Sequence, residues 1–509
     1  MLALPAHDPS LLAGGTSGPR ALRPLLDTVL GALAEGAAAR CGPLPAGGPG
    51  RVRDRLAEAA PGPALPAHGA GVGPALHQLV RALAEGAADP ADPHCAAHLH
   101  CPPLAVAVAA DLAASALNPS LDSWDQAPAA SELEDRISRE LAALVHPTGP
   151  EPHALITTGG TESNLLGTLL AREHLAGTAD RPLRVICGAN AHHSVHRAAW
   201  LLGLPAPHVL PTPAGVLDPA VVREALLGLD ALACVPTGPA PALVVATAGT
   251  TDSGAIDPLP ALADAVAAAR HGGRPVGLHV DAAYGGPLLL SPTHRHRLAG
   301  LDRADTVGLD LHKLGWQPVA AGVLTVPDAA ALAPLGQRAD YLNAEDDTEA
   351  GLPDLLGRSP RTTRRPDVLK IAVTLRALGR TGLAALVDRV CAAAADLATL
   401  VAAEPGLELH SRPTISTVLF RPAGATDAQV AAVRRRLLVD GRAVLGRATV
   451  RRPGGGAPAL WLKATLLNPH VHHSDLAALI KLVLDQHDGS DGAPGTDVTT
   501  QRDPGDDHQ

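Results

Sequence analysis

A carboxylate and an amine stand at the ends of two short apolar runs in the middle of this 509-residue chain. In GLHVDAAYGG, residues 277–286, the run through His279 and Val280 reaches Asp281, and the small residues Ala282 and Ala283 follow before Tyr284. The second run, from Ala304 to Leu309, ends in Asp310-Leu311-His312-Lys313. A short apolar run closed by a charged residue is how a buried strand of an α/β sheet delivers a side chain to its carboxyl end, where ligands of such sheets bind. Asp281 and Lys313 are therefore each expected at a strand tip.

An aspartate and a lysine so placed suit pyridoxal phosphate. That cofactor needs a lysine amine to condense with its aldehyde and a carboxylate to keep its pyridine nitrogen protonated, so that the ring can accept an electron pair. The chain has four lysines, Lys313, Lys370, Lys463 and Lys481. Lys370 and Lys481 fall in helical patterns with charged or polar neighbours, and Lys463 in a short strand-like run. Lys313 alone follows a strand and a histidine. The alternative on residue types alone is a structural ion pair or solvated strand ends.

Other stretches must position this chemistry. ALITTGGTESNLLGTLLARE, residues 154–173, is a strand, a small-residue turn and a helix with apolar positions at helical spacing. A helix start of this kind offers free N–H groups and the positive end of the helix dipole to a phosphate. Gly159 and Gly160 allow close approach, and Thr161 and Ser163 add hydroxyls; simple helix capping accounts for the same residues. The strand LRVICG leads into Asn190-Ala191-His192-His193, and LVVATAGTTDSGAIDP, residues 243–258, carries Thr247 at the end of another buried strand. Residues 327–366 are polar, acidic and rich in helix breakers, and contain Tyr341, one of two tyrosines. So long a run inside a compact domain reads as a lid or as disorder. Its acids Glu345, Asp346, Asp347 and Glu349 are either a lure for a substrate ammonium or a solvated charge run. His94, His98 and His100 with Cys95 and Cys101 fit no standard zinc spacing, and no metal is expected.

HVDAAYGG followed by the D-x-H-K lysine resembles the group II pyridoxal-phosphate amino acid decarboxylases. The likeness runs from about His94 to Leu484, with several motifs in the family's order. It implies a pyridoxal-phosphate fold of type I: α/β, with a large mixed-sheet domain, a small α+β C-terminal domain and an N-terminal helical arm. It also implies that Lys313 carries pyridoxal 5'-phosphate and that Asp281 meets the pyridine nitrogen. Gly160 and Thr161 would hold the phosphate, with Thr247, Ala283, Asp310 and His312 completing the cofactor site. His192, or its neighbour His193 if the register slips, would stack on the ring. Tyr341 would return a proton to Cα after carbon dioxide leaves. One of Arg364 and Arg365 would face the site. AHLHCPP and SWDQ are similar to the bacterial branch acting on 2,4-diaminobutyrate, ornithine or lysine, with His98, Leu99, His100 and Cys101 where aromatic decarboxylases place pocket aromatics. Diamine or siderophore biosynthesis is the setting this branch implies. A homodimer with shared active sites follows from the family as well.

The implied organisation is a helical dimerisation segment over 1–93, a cofactor domain over 94–385 that includes the loop 327–366, a small domain over 386–486 and an acidic tail over 487–509. A net charge of −10 without basic clusters argues against nucleic acid. The N-terminus lacks a basic segment before an apolar core, and no apolar stretch is long enough to span a bilayer. Six scattered cysteines without a CxxC pair suit a reducing cytoplasm. The rival readings are an aromatic or glutamate decarboxylase, another type I reaction with an arginine such as Arg412 or Arg421 reading the α-carboxylate, and a cofactor-free scaffold.

Overall fold

The computed structural model describes residues 12–176, 182–228, 239–336, 343–353 and 355–488. Its strands are β1 (Cys95–Ala96), β2 (His153–Thr157), β3 (Arg184–Gly188), β4 (His208–Leu210), β5 (Ala242–Thr247), β6 (Val276–Ala282), β7 (Thr306–Asp310), β8 (Gly322–Val326), β9 (Leu407–Leu409), β10 (Thr417–Pro422), β11 (Val444–Arg451) and β12 (Pro458–Thr465). Seven form one sheet in the order β2-β8-β7-β6-β5-β3-β4, in which β8 alone runs antiparallel to its neighbours. Every residue of β5 and β6 is buried. Parallel strands covered by helices on both faces need such continuous apolar runs, which is why the sequence reads as unbroken rather than alternating there.

On one face, Ile137 and Val145 of the helix Pro128–Val145, Leu262 and Val266 of Leu259–His271, and Val368 and Ile371 of Val368–Ala403 share one apolar core with Val280, Val307 and Val323 of the sheet. The long helix bends at Gly379, whose φ of 62° lies in the left-handed region. Its second half, with Leu397 and Val401, joins Val418, Phe420, Leu462 and Leu479 in a separate core beneath the C-terminal sheet β1-β11-β12-β10-β9. Near the N-terminus, the helices Gly18–Arg40 and Val72–Gly86 close on each other at Gly36, where a Cβ would lie 2.5 Å from the Arg81 carbonyl.

Several sequence expectations change here. Residues 95–96, assigned to the cofactor domain, add a parallel edge strand to the C-terminal sheet, with Cys95 opposite Val444. The run 327–366 has a core face after all: Leu332 and Leu335 pack on Leu155, Leu166 and Leu324. The last helix, His473–Asp488, extends into the expected tail. Lys370, in a helix with charged neighbours as expected, is buried at 3.1 Å from Asp367 and 3.3 Å from Asp111. Tyr341 and residues 489–509 lie outside the described residues.

One buried polar chain crosses the large sheet. His279 on β6 is fully enclosed, its Nε2 2.8 Å from Asn164 Oδ1 and its Nδ1 2.8 Å from Thr306 Oγ1. Burial pushes this imidazole down from 6.5 to about 4 against an opposing pull from Asp281. The folded chain therefore holds His279 neutral where the unfolded chain binds a proton. The stability it contributes is complete above pH 6.5 and is lost as pH falls toward about 4, on the order of 3 kcal/mol in all. Urea midpoints measured across that window should fall with pH, and His279→Gln should flatten the fall.

Candidate active site

The carboxyl ends of β5, β6 and β7 open on a cavity of about 360 Å³, lined among others by Thr247, Asp281, Asp310, His312 and Lys313. Thr247 and Asp281 are register partners on adjacent parallel strands. Asp281 is nearly buried and satisfied on both oxygens: Oδ2 accepts from Asn164 Nδ2 at 2.8 Å and Oδ1 from the Ala283 N–H at 3.1 Å. Burying a carboxylate is costly without such donors. Asp310 ends β7 and begins the one-turn helix Leu311–Leu314, which brings Lys313 back over it, Nζ to Oδ2 at 2.7 Å. His312 Nε2 lies 3.5 Å from the same oxygen, and His312 Nδ1 accepts from the Ala321 N–H. Burial lowers the His312 pKa against the pull of Asp310.

The opposite wall is the start of the helix Gly160–Ala171, where Gly159, Gly160 and Thr161 face the cavity. A Cβ on Gly159 would stand 2.9 Å from His312 Cε1, and one on Gly160 2.9 Å from Ala283 Cβ, so the turn closes only with glycine at both positions. Glu162 reaches back to the Thr158 N–H at 2.6 Å and leaves the mouth of the helix to a ligand. Ser163, expected to add a hydroxyl there, is turned away instead, 2.8 Å from Thr157 Oγ1 and completely buried. It follows Thr161 by two residues, about 200° around the helix.

His192 lines the cavity, whereas His193 is exposed and leans on it with ring centroids 4.1 Å apart. Burial holds the His192 pKa below its ordinary value. His98 and Leu99 reach the cavity, and His100 does not. Cys101, expected beside them, is buried, with its thiol donating to the His312 carbonyl at 3.2 Å. Arg364 pairs with Glu134 and Arg365 with Asp111, both away from the cavity lining. Arg412 and Arg421 are likewise engaged elsewhere, with Thr399 and with Asp427.

Three residues escaped sequence reasoning. Lys463 enters the cavity from β12, its Nζ 3.0 Å from the Thr251 carbonyl, with burial lowering its pKa. Its signal was available: a lysine in the otherwise apolar run ALWLKATLL. Asn164 bonds to Asp281, His279 and Ser194 at once. Tyr284 spans the two sheets, its buried hydroxyl 2.9 Å from Ser416 Oγ and 3.0 Å from Thr417 Oγ1.

These residues fit pyridoxal phosphate. A lysine amine and a sheet carboxylate border one cavity, a glycine turn at a helix start lines the same cavity, and Asp310 Oδ1 is buried without a hydrogen-bond partner. Among the described residues no helix is long and apolar enough to cross a membrane.

The conserved domain of pyridoxal-dependent decarboxylases matches residues 64–423. An L-2,4-diaminobutyrate decarboxylase of Rhizobium meliloti (strain 1021) is 41% identical over 414 residues, 80% of each chain. One from Acinetobacter baumannii is 32% identical over 445 residues, 82% of this chain and 84% of the relative. In three dimensions, the glutamate decarboxylase domain of diaminobutyrate-pyruvate transaminase and L-2,4-diaminobutyrate decarboxylase from Vibrio parahaemolyticus aligns with a TM-score of 0.79 at 29% identity, covering 94% of this chain and 98% of that one. Oryza sativa TDC with PLP and tryptamine aligns at 0.81 with 25% identity, covering 94% and 99%. The fold is thus that of the type I pyridoxal-phosphate enzymes. With identity of this order extending over four fifths of both chains, the protein belongs to the pyridoxal-dependent decarboxylases, lyases that remove carbon dioxide from an amino acid with pyridoxal 5'-phosphate as cofactor.

Proposed function

We propose that the substrate is L-2,4-diaminobutyrate, decarboxylated to a short diamine. The observation that carries this is the 41% identity to a decarboxylase of that name over 80% of both chains. The cavity agrees in character. Among its described lining residues the one carbocyclic aromatic ring is Tyr284, whose hydroxyl is tied to the C-terminal sheet, so an aromatic substrate would find no ring to stack on.

On this reading each residue has a task. Lys313 would hold the cofactor through its amine, Asp281 would meet the pyridine nitrogen, and the turn at Gly160 and Thr161 would receive the phosphate. His192 would lie against the ring, with Thr247, Ala283, Asp310 and His312 completing the cradle. When bound, pyridoxal phosphate supplies the electron sink for the pair released as the carboxylate departs. Lys463 would orient the substrate α-carboxylate. His98 and Leu99 border the side-chain end of the pocket. Tyr341, outside the described residues, remains the proposed donor of the proton to Cα.

A second reading, an acidic substrate side chain, is favoured by Lys463 itself, a cation that would repel a distal ammonium unless the α-carboxylate occupies it. Cysteine sulfinic acid decarboxylase of Homo sapiens is 32% identical over 62% of this chain. We further propose a homodimer, supported by Leu30, Leu33, Leu79 and Leu83, which leave the N-terminal helices with exposed apolar surface. A cytoplasmic enzyme suits the described cysteines, which are all free.

Carbon dioxide release from a panel of amino acids tests the substrate: release from 2,4-diaminobutyrate is expected, and release only from aspartate, glutamate or cysteine sulfinate would replace the first reading by the second. Lys313→Ala should fold, lose the visible absorbance at about 420 nm typical of a lysine-held cofactor, and lose activity by more than about 1,000-fold. Lys463→Met should keep that absorbance while kcat/KM falls about 10–100-fold, the loss of one charge-assisted contact. Sedimentation should give a dimer, and the double change Leu30→Glu with Leu83→Glu should weaken it.

A further inference from the structure

Asn164 sits one turn inside the helix Gly160–Ala171, behind the cavity wall, and uses its whole amide. Nδ2 donates to Asp281 Oδ2 and to Ser194 Oγ, both at 2.8 Å, and Oδ1 lies 2.8 Å from His279 Nε2. The orientation of the amide is forced. Flipped, it would set its oxygen against the Asp281 carboxylate, two acceptors 2.8 Å apart.

The consequences run in two directions. Because Oδ1 accepts, His279 carries its proton on Nε2 and accepts at Nδ1 from the Thr306 hydroxyl, 2.8 Å away. Because Ser194 Oγ accepts from Asn164, its own proton is free for His192 Nδ1, 2.7 Å away. The Ser194 N–H approaches the same nitrogen at 3.3 Å. His192 Nδ1 is therefore an acceptor twice over, and the proton of the neutral ring stays on Nε2.

We propose that Asn164 is a positioning residue that couples the two sides of the cofactor site, orienting the Asp281 carboxylate and, through Ser194, fixing His192 as the Nε2–H imidazole. His279 and Thr306 lock the amide from behind. The proposal rests on the reading of Asp281 and His192 as cofactor-facing residues. The charged and titratable groups facing His192 are Asp281, His193, Lys313 and Asp310. Two donors on Nδ1 favour the neutral ring, so removing the Ser194 hydroxyl from that nitrogen raises the pH at which His192 takes up a proton.

The test compares Asn164→Asp and Asn164→Leu with wild type, reading the cofactor dissociation constant by absorbance titration of the apoenzyme and the acid limb of the kcat profile. Both variants should bind pyridoxal phosphate at least tenfold more weakly, and the acid limb should move to higher pH, further in Asn164→Asp. A merely structural role would lower activity without moving the limb. Should both variants fail to fold, the pair His279→Gln and His279→Leu asks the same question. Glutamine keeps an N–H donor to Asn164 and should lose less affinity, with a smaller limb shift, than leucine. Affinity within twofold of wild type, an unmoved limb, or indistinguishable His279 variants would overturn the coupling. Asp281→Asn, measured alongside, separates this from its premise. If it leaves cofactor affinity intact, the cofactor-facing reading of Asp281 fails; if it damages affinity while the Asn164 variants do not, the coupling alone fails.

Discussion

Two carboxylates, Asp281 and Asp310, end neighbouring parallel strands and are almost wholly removed from water. Everything around the cavity answers that cost. Asp281 draws a side-chain amide and a main-chain N–H; Asp310 draws the Lys313 amine and the edge of His312. A charge in so dry a place persists only with such company. The helix Gly160–Ala171 is held to the sheet in part by Asn164, which serves one of these charges, and the one-turn helix after β7 exists where Lys313 must fold back over the other. The Lys313 amine is thus held in the cavity wall as an ion pair rather than as a bare charge.

The C-terminal sheet meets this charged edge through a small number of polar ties. Tyr284 reaches Ser416 and Thr417, Trp316 donates to the Leu467 carbonyl at 2.8 Å, and Lys463 donates to the Thr251 carbonyl. Each joins a loop at the carboxyl ends of the large sheet to β10, β12 or the segment after β12. Burial raises the Tyr284 phenol to about 12, so this tie keeps its proton throughout the neutral range. The sheet that delivers Lys463 is thereby held in register with the strands that deliver Asp281 and Asp310.

What could be read in the sequence divides along physical lines. Asp281 and Lys313 were legible because a charged residue closing a buried run is costly to desolvate and persists only where a ligand or a partner meets it. The glycine turn was legible once that pair was placed. Ser163 and Cys101 were misplaced because neighbours along a chain do not share a face: Ser163 lies across the helix from Thr161, and Cys101 turns behind His312. Lys463 was passed over because one strand residue in isolation does not say which element it will face. Asn164 was invisible as chemistry, since its partners come from β6 and from the first residue of the helix Ser194–Leu201. The loop 327–366 looked structureless because its buried leucines, Leu332, Leu335 and Leu355 among the described residues, are few and set among breakers.

The pairing of Cys95 with Val444 has a bearing on how the molecule comes into being. The segment that carries His98 and Leu99 to the cavity leaves the ribosome early, while the strand that anchors it and the neighbouring strand with Lys463 are made close to the end. The last strand of the seven-stranded sheet ends at Val326, well before either of those strands in the chain. The edge of the cavity that His98, Leu99 and Lys463 line therefore takes shape only when both ends of the chain have met.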